Sequence, residues 1–292
     1  MTKKVENNFD KKEEWDTVIL PESESYSIRK YLKSIVKYKD LIFLLVRRDF
    51  VSQYKQTILG PLWFFISPIL STFTFFILLS KIGKVDYANI PPVLFIFSGF
   101  IFWNYFSENF IKISETFISN VHLFGKVYFP RAVIPFSVVI SGLYKLVIQF
   151  VVLLFSIVFY ILKGYDLNFS WKFFLLPVLV ALMALYTISF GLIVSSITVK
   201  YRDLRFLIPF LTQLLMFFSS VVYDISSFSH PVKFLYHLNP FTDLIEGFRE
   251  CLFGNSEFKF EFLAFHFAIL LVLFFISMKL FFKREKNFLD TI

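Results

Sequence analysis

The sequence predicts an all-α polytopic membrane protein: six transmembrane helices, a cytoplasmic amphipathic interface helix ahead of them, and a re-entrant outer helical hairpin between spans five and six. Three observations carry this prediction. Hydrophobic residues make up 57% of the chain and charged residues only 18%. The charge is swept out of six long apolar runs, at 61–80, 91–111, 132–162, 173–197, 206–223 and 262–282. Basic residues are distributed unevenly around those runs. A helix rises about 1.5 Å per residue, so roughly 20 residues match a hydrocarbon layer about 30 Å thick. Only helices and closed barrels satisfy their backbone polar groups there; these runs are continuous rather than alternating, which selects helices.

Residues 1–30 are polar and charge-mixed and read as a mobile cytoplasmic tail. The first 14 residues contain no apolar stretch of the kind a cleavable signal needs. An amphipathic interface helix is expected over 31–58. Phe43, Val46, Phe50 and Tyr54 recur at spacings of three, four and four, with Arg48, Ser52, Lys55 and Gln56 on the other side. A plain basic anchor beside the membrane would explain the charges but not that stripe. The chain then turns inward at Leu59-Gly60-Pro61, where glycine relaxes the bend and proline suits a first helical turn.

The six-span domain is expected over 59–282, followed by a cytoplasmic tail at 283–292. Its inner loops are GKVYFPRAVIP, running from Gly125 to Pro135, and VKYRDLR, running from Val199 to Arg205. The segment 224–259 is apolar yet carries Lys233, His237, Asp243, Glu246, Arg249 and Glu250, and Asn239-Pro240 divides it. Two short helices dipping into the outer leaflet fit that pattern; an ordinary external amphipathic loop is the other reading. Lys145 falls inside the third span, where a charge at mid-membrane is costly. It is expected near the cytoplasmic end, snorkelling or paired across a dimer. Glu108 and Lys112 are spaced for a helical ion pair.

With both termini inside, the cytoplasmic segments hold 22 basic residues against 7 outside, Lys145 set apart. That is the positive-inside pattern, so the excess of Lys and Arg reads as topology and not as a nucleic-acid footprint. Aromatic residues form 21% of the chain, and most of them suit lipid contact and interfacial anchoring. The single cysteine, Cys251, excludes an internal disulfide or a multi-cysteine metal site.

Four segments resemble, in order, the permease subunit of type-2 ABC exporters, in the branch that moves polysaccharides or polyol phosphates. They are RRDFVSQYKQTILGPLWFFISPIL from Arg47, VYFPRAVIPFSVVISGL from Val127, VKYRDLRFLIPFLTQLLMFFSSVVY from Val199 and LNPFTDLIEGFRECLFG from Leu238. The resemblance implies a homodimer in the bacterial cytoplasmic membrane that exports a lipid-linked glycan (O-antigen, capsular polysaccharide or teichoic acid). A separate ABC ATPase subunit would bind the ATP and magnesium, and this chain would hold no cofactor or metal of its own. Consistent with that division, no phosphate-binding loop occurs; Gly83-Lys84 and Gly125-Lys126 lack its first glycine and its hydroxyl residue.

By the same resemblance, Arg47, Arg48, Asp49, Lys55, Gly125, Lys126, Arg131, Tyr201, Arg202 and Asp203 would couple to the ATPase. Tyr54, Gln56, Leu59, Gly60, Pro61 and Trp63 would form the gate that admits the substrate. Asn239, Pro240, Glu246 and Arg249 would close the outer mouth. The nearest alternative is a type-2 exporter of small hydrophobic compounds. A membrane-embedded transferase would need positioned acids, bases or metal ligands, and His122, His230, His237 and His266 lack ligand spacing. An ion-coupled transporter would need repeated halves with ionisable groups at the midplane, and no internal repeat is evident.

Overall fold

The computed structural model describes residues 28–55, 58–82, 87, 90–125, 129–165, 171–225, 228–254 and 260–288. Within them the regular structure is helical and no strand occurs. Two helices precede the first apolar run: α1, Ile28–Lys37, and α2, Lys39–Tyr54. The single interface helix expected over 31–58 is therefore broken at Tyr38 and closed at Lys55, whose backbone is extended. The buried face also differs from the expected stripe. Ile42, Leu45 and Val46 are buried with Tyr31 and Ile35 of α1, while Phe43 and Leu44 are exposed. The exposed face of α2 carries Phe43 and Leu44 beside Arg47 and Arg48, so hydrophobicity alone does not decide which face packs inward.

Gly60–Leu62 forms a single 3-10 turn, and α3 follows over Trp63–Phe75, continued by a π-helical stretch, Phe76–Ile82. The second run is α4, Pro92–Ser114, with proline at its start. Short helices α5, Thr116–Ser119, and α6, Val121–Phe124, bring the chain to α7, Val133–Leu162. α8, Leu176–Thr198, is preceded by the 3-10 segment Trp171–Leu175. The fifth run yields only α9, Leu204–Phe217, after which 218–223 is turn. α9 has 14 residues and so rises about 21 Å, short of a full crossing. α10, His230–His237, and α11, Pro240–Phe253, form the expected helical pair, and α12 is Phe260–Phe288.

Among the described residues, three helices are long and apolar enough to cross a membrane: Val133–Leu162, Trp171–Thr198 and Leu263–Glu285. Trp63–Leu79 and Leu204–Phe217 are shorter apolar helices. α4 is the hub: its residues from Leu94 to Phe106 are mostly buried, and it packs on α3, α7, α8, α9 and α11. Gly99 makes one of these approaches possible, since a Cβ there would come within 2.4 Å of the Val221 carbonyl oxygen. α7, α9 and α12 instead present apolar residues outward, including Val147, Phe155, Phe206, Phe210, Phe267 and Val272. In water such faces would be a liability; against acyl chains or another apolar subunit they are stable.

Candidate functional site

α11 is the most enclosed element, and its ends are written in the sequence. Asn239 caps it, accepting a hydrogen bond from the Phe241 backbone N–H at 3.1 Å, and Pro240 occupies the first turn. Gly254 ends it with φ 68°, the left-handed conformation that glycine adopts without strain. The Asn239 amide also donates to the Phe218 carbonyl and to Ser219 Oγ, tying the cap to the turn after α9.

Every residue from Phe241 to Phe253 is buried, including four charged ones. A buried charge is tolerated only when paired and hydrogen-bonded, and each of these is. Arg249 is 0% exposed. Its guanidinium donates to Glu246 Oε1 at 2.7 Å, to the Ser220 and Val221 carbonyls at 2.6 and 2.8 Å, and to the Phe95 carbonyl at 3.1 Å. It also lies 3.5 Å from the Phe95 ring centroid. One side chain thus joins α4, the turn after α9 and α11. Glu250 receives Lys172, from the turn before α8.

Asp243 holds two histidines. His237 Nδ1 meets one carboxylate oxygen, and His266 Nε2 meets the other at 2.8 Å. Tyr186 of α8 donates to the His266 carbonyl. Sequence reasoning treated the histidines as scattered and missed this cluster. His237 and Asp243 sit on either side of the Asn239-Pro240 break, and His266 comes from α12, so no local spacing announces it.

The residues that the family resemblance assigns to ATPase coupling separate into two kinds. Arg47 and Arg48 of α2 and Lys55 just after it are exposed, and Arg48 donates through Nε and Nη2 to one oxygen of the adjacent Asp49, at 2.9 and 2.8 Å. Tyr201, Arg202 and Asp203 are exposed in the α8–α9 turn, and Gly125 is exposed after α6. Arg131 behaves differently. Its side chain is 5% exposed, donates to the Glu285 carbonyl at 3.1 Å and lies 5.0 Å from the Phe124 ring centroid. The Arg131 backbone N–H donates to the Glu285 carboxylate, which also receives the Tyr31 hydroxyl. Burial, and then the Glu285 carboxylate, hold the Tyr31 hydroxyl well above the usual phenol range, so it stays protonated and donates. Arg131 is therefore buried and braces α1 and α12 against the start of α7.

Among the residues expected to form the gate, Gly60 has φ 51°, and Leu59 and Trp63 are exposed. The side chains of Tyr54 and Pro61, and all of Gln56 and Lys126, lie outside the described residues. Phe50 of α2 packs between Phe64 of α3 and Tyr144 of α7, with ring centroids 6.0 and 5.5 Å away. This contact docks the end of the interface helix onto the first and third apolar runs. Glu108 is paired with Lys145 of α7, not with Lys112 as its spacing suggested. The Lys145 charge is answered within one subunit.

An apolar groove of about 750 Å³ runs between α7 and α8, lined by Leu143, Phe150, Phe173, Val180, Leu185 and Phe248 among others. No group of histidine, cysteine or carboxylate side chains suited to a metal occurs among the described residues.

Long apolar helices, outward-facing apolar surfaces and interior charges paired one by one define a multi-pass helical membrane protein. Residues 40–253 match the ABC-2 type transporter family, and the chain belongs to that family. It is therefore a transporter membrane subunit and not a catalytic enzyme. The family implies an ABC ATPase partner. The chain is similar to the O-antigen export system permease protein RfbA of Myxococcus xanthus, with 27% identity over 198 residues, 68% of this chain and 74% of the relative. It is also similar to the protein of that name from Klebsiella pneumoniae, with 25% identity over 185 residues, 63% of this chain and 69% of the relative.

Proposed function

We propose that this chain is the membrane-spanning subunit of an ATP-driven exporter that moves a lipid-linked polysaccharide across the bacterial cytoplasmic membrane. The observation that carries the reading is the family match over 40–253, joined to the likeness to two permeases named for O-antigen export. The cargo is an O-antigen, a capsular polysaccharide or a teichoic acid. Two copies form the conduit, each with six spans and both termini in the cytoplasm. Trp63–Leu79, Pro92–Ser114, Val133–Leu162, Trp171–Thr198 and Leu263–Glu285 supply five spans. α9 with the turn after it supplies the shorter fifth crossing. A separate ABC subunit binds magnesium and ATP beneath each copy. Its stroke reaches α2 and the exposed Tyr201-Arg202-Asp203 turn. Gly60 and Trp63 border the inner gate, and the α10–α11 pair stands at the outer mouth. The supports for this division are the exposed charges of α2 and of the α8–α9 turn, and the absence of a phosphate-binding loop from the sequence.

The second reading, export of small hydrophobic compounds, is favoured only by the apolar groove between α7 and α8. One experiment separates the two. Deleting the gene should remove one surface polymer and accumulate its lipid-linked precursor inside, with export restored only when this chain and its ATPase are supplied together. Intact surface polymer with heightened sensitivity to hydrophobic compounds would select the second reading.

A further inference from the structure

A polar recess lies between α4 and α7, lined by Asn104, Glu108, Lys112, Ser141, Lys145 and Gln149, among others. Its enclosed part, about 20 Å³, has room for a single oxygen-sized group. Gln149 is 1% exposed, yet its amide nitrogen has no hydrogen-bond partner. A buried donor left without a partner is costly, so a group that accepts from Gln149 is called for. The balance of the lining is toward donors. Lys112 is exposed at the mouth, Lys145 keeps further N–H groups beyond its bond to Glu108, and Glu108 is the one carboxylate facing them among the described residues.

Depth selects the kind of acceptor. α7 has 30 residues, about 45 Å, which exceeds the hydrocarbon layer. Counting about 20 residues back from Leu162 puts the inner boundary of that layer near Leu143. The same count along α4 from Pro92 ends near Ile111. Lys112 and Lys145 therefore flank one point at the inner boundary, where lipid phosphates lie. Gln149 sits about one turn deeper than Lys145.

We propose that this recess is a binding site for the phosphate of a membrane lipid headgroup in the inner leaflet. The phosphate rests at the mouth between the Lys112 and Lys145 ammoniums, and one of its oxygens accepts a hydrogen bond from Gln149. Bulk glycerophospholipid and a phosphate-bearing lipid carrier share this chemistry. The inference rests on the six-span orientation proposed above. That orientation has its own check, since the thiol of an Asp203→Cys variant should be labelled only from the cytoplasmic side.

The test counts lipids retained by the full-length chain on release from nanodiscs, by native mass spectrometry. One nanodisc set contains phosphatidylglycerol; the other contains the phosphate-free galactosyl diacylglycerol. Phosphatidylglycerol should be retained in preference, and Lys112→Gln and Gln149→Met should each lower its retention about tenfold, one charge-assisted bond apiece. Lys112 is exposed, so its replacement leaves the fold intact and protects the test from misfolding. Equal retention of the two lipids, or retention unchanged in both variants, would overturn the site. Displacement of phosphatidylglycerol by millimolar inorganic phosphate would overturn a lipid as the source. Added carrier lipid that displaces phosphatidylglycerol from the wild type, but not from Gln149→Met, would support the site and name the carrier as its occupant. Because the readout is bound lipid, failure here leaves the transport reading standing.

Discussion

The Arg249 side chain shows how the cost of a charge depends on where it sits. An exposed pair such as Arg48 with Asp49 contributes about 0–1 kcal/mol. Arg249 is fully enclosed, and its removal takes a charged donor from the Glu246 carboxylate and from each of three carbonyl oxygens. Breaking such a pair from one side costs about 3–5 kcal/mol. Arg249→Leu should therefore lower the melting temperature of the purified chain sharply, whereas Arg48→Leu should leave it nearly unchanged. The pair Arg249→Leu with Glu246→Gln should recover part of the loss, which a double-mutant cycle in detergent would measure. The sequence pointed to Glu246 and Arg249 by their place in an apolar segment. It did not reveal that they face one another at i,i+3 within the protein, because partners such as Phe95, Ser220 and Val221 lie elsewhere in the chain.

Elements were legible in proportion to their length and polarity contrast. The runs that became α7 and α8 could be read to within a few residues, because a long uncharged stretch has few other stable fates, while α12 continues to Phe288, six residues past the run expected to end at 282. α9 was overestimated, since 218–223 is as apolar as a helix but turns to present Ser220 and Val221 carbonyls to Arg249. The split of the interface helix at Tyr38 left no proline or glycine to mark it. Gly60, by contrast, was anticipated as a bend and has φ 51°, with no atom of the described residues within 4 Å of the point a Cβ would occupy. A side chain there meets no obstacle; only the left-handed backbone resists it, at roughly 1–2 kcal/mol. Gly60→Val should thus reduce export while the chain still inserts, and Gly60→Asn, which tolerates that conformation, should retain most of it. Surface polymer measured beside membrane-inserted protein checks both.

At the scale of the assembled molecule, the exposed cations of α2 and of the Tyr201-Arg202-Asp203 turn are the groups available to another subunit. Reversing both Arg47 and Arg48 to Glu should cut recovery of the ATPase in co-purification by roughly tenfold or more, as like charges replace attraction. Undiminished recovery would remove α2 from the docking surface. The charges of α2 were legible in the sequence, their coupling role being what the family resemblance implies, while the internal braces around Arg131 and Asp243 were not, since each joins segments far apart in the chain. The Asp243 cluster also acts as a latch between distant stretches of chain: its carboxylate takes one histidine from α10 and the other, His266, from α12. A fragment cut after Gly254 would leave that carboxylate with one histidine, so α11 is clasped by a helix that follows it in sequence.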